Sequence, residues 1–281
     1  MTHPDLDLAA RVVARALPAW AGLPLRAVDP QGHDHRTYRL GDALAVRLPT
    51  AGGYVPQLVK EVRWLPHLAA HLAHPVPEVV AVVEPDEVFP LPWSVRRWLP
   101  GEVASRADGD PLTLAGDLAD ALVALRAVPA ADGPPPGQHS AHRGASLRHY
   151  EAEARTAVGA LPAADRERAD RVLDAAVATR WEGPPVWFHG DVAADNVLVR
   201  DGRFTALLDW GCAGVGDPAC DVVPAWTVFE GEARAVYRER LAVDDDTWAR
   251  GRGWALWKAV ITLADPDNGA AARTTLAAVL A

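Results

Sequence analysis

The chain has almost no cysteine: Cys212 and Cys220 are the only two in 281 residues. They lie too close in sequence to frame a fold, which excludes a disulfide-stapled secreted domain and leaves two free thiols as the expectation. Lysine is equally scarce. Lys60 and Lys258 are the only two, and neither ends an expected strand, so a cation needed at a strand end must be an arginine. No apolar run approaches the length of a membrane span. The opening stretch, 1–20, carries acids and lacks the basic, apolar and cleavage-site pattern of a signal peptide. These two absences point to the cytoplasm, where ATP, GTP and Mg²⁺ are at hand. Positive charge is in deficit, 28 basic against 37 acidic residues for a net −9. That disfavours nucleic acid as a partner and is compatible with a cationic one. No internal repeat is evident. What is present, 49% apolar and 23% charged residues, is the composition of a globular chain able to bury a real core.

The chemistry concentrates between Val186 and Asp221. His189, Asp191, Asn196 and Asp209 occur there in order, with Asp191 five positions before Asn196. After Asn196 comes a short alternating run, Val197 to Arg200, then Asp201-Gly202, a strong signal for a turn in which both central residues take positive φ. A second run, Arg203 to Leu208, returns toward the start. The hairpin predicts that Asp209 comes back beside Asn196, so that an amide oxygen and two acids share one mouth. Mg²⁺ takes oxygen ligands from one or two side chains together with phosphate oxygens. Asn196 and Asp209 are therefore the expected metal ligands. Asp191 stands outside the metal shell and is the expected acceptor of a substrate hydroxyl's proton. The tripeptide Asp209-Trp210-Gly211 stands where a protein kinase has its metal-binding Asp-Phe-Gly.

His189-Gly190-Asp191, Asn196, Asp209-Trp210 and Gly216-Asp217-Pro218 followed by Asp221 resemble the aminoglycoside phosphotransferase family. The resemblance is specific over 186–221 and looser elsewhere. It implies an α+β, protein-kinase-like fold of two lobes: residues 1–98 as a small antiparallel-sheet, nucleotide-binding lobe, and residues 99–281 as a helical, catalytic and substrate-binding lobe. It implies that His189 helps hold the catalytic loop and that Asp221 braces it. It also implies transfer of the γ-phosphoryl of ATP or GTP to a hydroxyl of an aminoglycoside or other antibiotic. A kinase for a small metabolite and a catalytically silent nucleotide-binding module are the alternatives.

In the first hundred residues the pattern predicts a helix over 5–20 ended by Pro18, then short strands over Leu25–Val28, Arg36–Leu40 and Ala43–Leu48. The loop between the first two strands holds a single glycine, Gly32. Only its position makes it a phosphate-loop candidate, and the side chains of His33, Asp34 and His35 are expected to face water. Arg47 falls where a kinase has its strand lysine and can grip phosphate bidentately. Glu61, beside the apolar stripe of a helix over 56–73, is the expected partner of Arg47. His67, His71 and His74 share helical spacing without an acid or cysteine to complete a zinc site. Strands over Val79–Glu84 and Trp93–Arg97 follow. Arg97-Trp98-Leu99, before Pro100-Gly101, looks like a kinase hinge whose backbone meets a purine.

Beyond Gly101 the character turns helical, over Leu112–Val128, Leu147–Leu161, Asp165–Thr179, Asp221–Phe229, Glu232–Leu241, Trp248–Leu263 and Thr274–Leu280. Residues 129–137, rich in Pro and Gly, read as an exposed loop. Gly211 to Gly216 reads G-x-x-G-x-G, and no helix pattern begins within it, so it is not a dinucleotide loop. A cationic acceptor needs acids not committed to metal or catalysis. Glu151 with Glu153, and Glu230 with Glu232, are the two candidate groups.

Overall fold

The computed structural model describes residues 4–281. The chain divides between Pro100 and Gly101 into two compact units.

The first unit begins with helix α1 (Leu6–Ala16). Asp5 caps it by accepting from the Leu8 N–H at 2.8 Å, and its Ala9, Val12 and Val13 face is buried. Pro18 ends the helix in a short 3-10 turn, Pro18–Trp20. Strands β1 (Leu25–Ala27), β2 (His35–Leu40) and β3 (Leu44–Pro49) follow, then helix α2 (Val55–Ala69) and strands β4 (Val79–Val83) and β5 (Trp93–Arg97). The five strands form one antiparallel sheet in the order β1-β2-β3-β5-β4. Tyr38, Leu40, Val46, Leu48, Trp93 and Val95 meet the buried face of α1 to make the core. Because side chains alternate along a strand, Ser94 and Arg96 of β5 point to the other face, and both are buried there. Helix α2 ends at Ala69, four residues before the expected 73. Pro66 lies within it and removes one ladder bond close to its end.

The second unit opens with a two-residue strand, β6 (Glu102–Val103), which no sequence pattern announces. Helix α3 (Pro111–Ala127) follows, capped by Asp110. The expected helix over 147–161 is a 3-10 turn, Leu147–Tyr150, continued by α4 (Glu151–Gly159). Next come α5 (Ala163–Ala178), β7 (Val186–Phe188), β8 (Val197–Arg200), β9 (Arg203–Leu207) and β10 (Gly214–Gly216). In place of a helix over 221–229 there is a 3-10 turn, Pro218–Val222, and a single helical turn, α6 (Pro224–Thr227). The 3-10 turn opened by Pro218 runs on to Val222, and Pro224 opens a new turn that divides what periodicity joins. Helices α7 (Gly231–Leu241), α8 (Asp245–Thr262) and α9 (Gly269–Leu280) complete the unit. Helix α8 is buried nearly all round, packed by α5 and α9. Two small antiparallel sheets, β6-β8-β9 and β7-β10, carry the residues of interest. No described helix is long and apolar enough to cross a membrane.

Candidate active site

The hairpin forms as its turn chemistry dictates. Asp201 and Gly202 both take positive φ, 53° and 74°, the requirement of a two-residue turn matching strand twist. Val197 pairs with Leu207, and the Leu208 N–H donates to the Asn196 carbonyl at 2.8 Å. Asn196 and Asp209 therefore leave adjacent ends of one ladder. On the outer side, the Arg203 guanidinium clasps Asp117 of α3 with two contacts of 2.8 Å and anchors the hairpin to that helix.

Asp191 is tied to the same mouth. The Asn196 side-chain amide donates to the Asp191 carbonyl at 2.9 Å and to its Oδ2 at 3.2 Å. Two consequences follow from that one contact. The Asn196 amide nitrogen is committed, so its amide oxygen is the atom left to serve a cation. Oδ2 of Asp191 is occupied, so Oδ1 is left for an incoming hydroxyl. Asp209 sits in the left-handed region, φ 53°, and its carboxylate accepts from the Gly211 N–H at 3.4 Å. One amide oxygen and one carboxylate suit Mg²⁺ completed by phosphate oxygens. Among the described residues no group of three or more His, Cys, Asp or Glu could hold a metal, and a cation bound chiefly through its nucleotide requires none.

The loop before Asp191 is held from below. The two oxygens of Asp221 accept from the backbone N–H groups of His189, at 2.8 Å, and Gly190, at 2.7 Å. Asp221 is buried, and burial pushes its carboxyl above the ordinary range, opposed by His189 and those two N–H groups. Tyr237 donates its hydroxyl to the Asp221 carbonyl. Asp217, raised by burial and held back by its ion pair with Arg250 at 2.8 Å, caps the turn that delivers Asp221. The His189 ring accepts the Asp191 N–H at Nδ1, 3.3 Å, while Nε2 meets the Leu208 carbonyl at 2.8 Å. That pair of contacts selects the Nε2–H tautomer. Gly190 takes φ 84°, and a Cβ there would lie 2.8 Å from the Cys212 carbonyl, so only glycine fits.

In the first unit, Glu61 is buried and lies 3.4 Å from Arg47, as its place on α2 predicts. Its tighter partner is Arg96 of β5, which contacts both carboxylate oxygens at 3.0 and 2.7 Å. Sequence reasoning missed Arg96. The available signal was its parity with Ser94, opposite the core-facing Trp93 and Val95. His35 was also missed: it accepts from Arg47 at 3.2 Å. The expectation that 33–35 faces water needs correcting, since His35 is buried and Asp34 accepts from Gln57 at 3.0 Å. Gln31 braces the loop instead, bonding Val28 and Thr37. At the expected hinge, the Trp98 N–H is taken by the Ala43 carbonyl at 2.8 Å and that of Arg97 by Glu78. This extends the sheet by one residue and leaves Leu99 with the N–H able to meet a purine edge. Arg39 lies over the Trp98 ring.

The four candidate acceptor acids differ in their engagement. Glu151 is bound by Arg155 at 2.8 Å and flanked by Arg148 at 3.6 Å. Glu153 accepts from the Trp257 indole at 2.6 Å. Glu230, at the cap position of α7, and Glu232, in its first turn, are exposed. Residues 214–216 are a strand, not a turn entering a helix.

Residues 26–254 match the model of the APH phosphotransferase enzyme family. An aminoglycoside 3'-phosphotransferase of Escherichia coli is 28% identical over 186 residues, 64% of this chain and 65% of that protein. The match thus spans just under two thirds of that relative's length. Among solved structures, the GDP complex of wild-type aminoglycoside 2'-phosphotransferase-IIIa superposes with a TM-score of 0.76 at 16% identity, covering 99% of both chains. The macrolide 2'-phosphotransferase MphH of Brachybacterium faecium, as apoenzyme, superposes with a TM-score of 0.63 at 25% identity, covering 98% of this chain and 97% of that one.

Proposed function

The chain belongs to the phosphotransferase enzyme family, and on that premise we propose that it moves the γ-phosphoryl group of ATP or GTP to a hydroxyl of a small molecule. The observation that carries this reading is the shared contact of Asn196 with both Asp191 and the hairpin that presents Asp209. It supports reading Asp191 as the proton acceptor and Asn196 with Asp209 as the cation ligands. In the reaction, the acceptor hydroxyl donates a hydrogen bond to Oδ1 of Asp191. As its oxygen bonds the γ-phosphorus, the bond from that phosphorus to the bridging oxygen breaks and the nucleoside diphosphate departs. The hydroxyl proton passes to Asp191, late in a loose transition state. Asn196 and Asp209 would hold Mg²⁺, which neutralises phosphate charge when bound. Arg47 supplies a fixed cation to the donor phosphates, and Leu99 meets the base.

The acceptor is an aminoglycoside or another cationic antibiotic. A second reading, an acceptor with one positive charge or none, is favoured by the engagement of Glu151 and Glu153 with Arg155 and Trp257. Similarity to both aminoglycoside and macrolide phosphotransferases supports keeping both classes in view. The test is a panel of aminoglycosides, macrolides, amino alcohols and sugars, each offered with Mg-ATP or Mg-GTP, with acceptor-dependent release of ADP or GDP measured. Release with at least one antibiotic is expected. Release only with metabolites would move the protein to the metabolite-kinase reading. Nucleotide binding without release for any acceptor would make it a silent module.

A further inference from the structure

We propose that Arg143 is a positioning residue of the catalytic loop, whose guanidinium pins the peptide unit leading into Asp191. This rests on the reading of Asp191 given above. The peptide between Gly190 and Asp191 is held on both edges. Its carbonyl accepts from Nε of Arg143 at 3.1 Å, and its N–H donates to Nδ1 of His189 at 3.3 Å. A peptide unit is planar and stiff, so fixing both edges fixes the direction in which the Asp191 Cα departs. Asn196 then holds the Asp191 carbonyl and Oδ2 from the far side. Asp221 holds the two preceding N–H groups, and Arg143 holds the Gly190 carbonyl.

Arg143 is itself fixed. Its guanidinium carbon lies 4.7 Å from the ring centre of Trp257 and 5.1 Å from that of Trp254. Tyr150 stacks on Trp257 with ring centres 4.2 Å apart, and its hydroxyl donates to the Ala141 carbonyl. The Arg143 Nη1 is buried and has no hydrogen-bond partner, so this guanidinium forgoes part of its hydrogen bonding in order to lie against indole. A stability role alone does not favour that arrangement, because an unmet buried donor is costly. The segment that delivers Arg143 is strained as well. Ala141 and His142 take φ 46° and 53°, left-handed values that side chains resist. Gly144, at φ 80°, packs so closely that a Cβ would sit 2.0 Å from the Phe188 ring. Its carbonyl accepts from the Asp217 N–H. Strain persists where the surroundings over-determine it, and it gathers at functional sites. Here its product is one guanidinium nitrogen against one catalytic-loop carbonyl.

The test compares wild type with Arg143→Ala and Arg143→Lys. Amide hydrogen exchange over 186–196 is read beside α3 and α5, which do not carry the rings under Arg143 and report the stability of the whole unit. In Arg143→Ala, exchange at 189–191 is expected to quicken about tenfold while α3 and α5 keep their protection. Turnover should fall about 10²-fold, the scale of a misplacement near 1 Å, with both KM values within about twofold. Methylguanidinium added to Arg143→Ala should restore part of the lost kcat. Lysine keeps the charge but lacks the planar fork, so Arg143→Lys should also show faster loop exchange and reduced kcat; if Arg143→Ala does not fold, this variant decides. Loop exchange unchanged from wild type in the folded variants would overturn the inference. So would exchange that quickens equally in α3 and α5, with no response to methylguanidinium. The exchange measurement needs no acceptor. Faster loop exchange in a protein that phosphorylates nothing would therefore uphold the role of Arg143 and remove only the assignment of function.

Discussion

Glu61 holds two arginines, and it holds them unequally. Arg96 takes both carboxylate oxygens within 3.0 Å, while Arg47 stands at 3.4 Å. The geometry makes Arg96 the tighter partner and leaves Arg47, proposed above to meet the donor phosphates, the more loosely held of the two. Breaking a buried ion pair from one side costs several kcal/mol because a charge is left behind. Arg96→Met should therefore lose about 3 kcal/mol in urea unfolding, the lower end of that range, since Arg47 still faces Glu61. Arg47→Met should cost less stability but raise nucleotide KM. Equal stability losses in the two variants would contradict this ranking. The proposed cation ligands are tested at the same scale. Asp209→Ala and Asn196→Ala should both weaken Mg-nucleotide binding in calorimetry, Asp209 more, because it brings a full charge. Unchanged affinity in Asp209→Ala would remove the hairpin from cation binding.

The hairpin of β8 and β9 is where an element turns sequence into chemistry, and it was the most legible part of the chain. Asp201-Gly202 named the turn, the alternating runs named the strands, and the two together returned Asp209 to Asn196. What was not legible depended on contacts between distant segments. Arg96 looks like any strand arginine until the sheet shows which face Ser94 shares. The Trp98 N–H looks available until β3 and β5 pair one residue further. Strands β6 and β10 are too short to carry a period, and Pro224 broke a helix that apolar spacing alone would have drawn through. Two predictions isolate elements from chemistry. A Cβ on Gly202 meets nothing within 4 Å, so Gly202→Ala adds only left-handed strain. It should cost about 1 kcal/mol with kcat unchanged. Asp244 caps α8 through the Thr247 N–H, and its hydrogen bonds to Thr247 hold its carboxyl below the ordinary range. A depressed folded value means the cap's charged contribution is complete above the unfolded value and is lost as pH falls through the folded one. Asp244→Ala should therefore cost about 1 kcal/mol at neutral pH and progressively less as the medium becomes acid. A cost independent of pH would contradict the cap's ionic character.

For the whole molecule, the net charge of −9 is compatible with a cationic acceptor without reference to a particular contact. If the acceptor is a polycation, paired Glu230→Gln and Glu232→Gln changes should raise its KM while leaving nucleotide KM nearly unchanged. The defect should shrink as salt rises, because screening weakens the wild-type attraction. If the acceptor carries one charge or none, the same pair should leave its KM unaltered at every ionic strength. Asp191, set by Asn196 and the loop beneath it, is proposed to take the proton from a hydroxyl during phosphoryl transfer. The most direct measurement follows formation of the phosphate monoester by phosphorus NMR, in wild type and in Asp191→Asn, with Mg-nucleotide affinity measured on both. Ester formation by wild type is expected, with a loss of about 10²–10⁴-fold in Asp191→Asn and nucleotide affinity nearly the same in the two. Ester formed at the wild-type rate by Asp191→Asn would contradict that role.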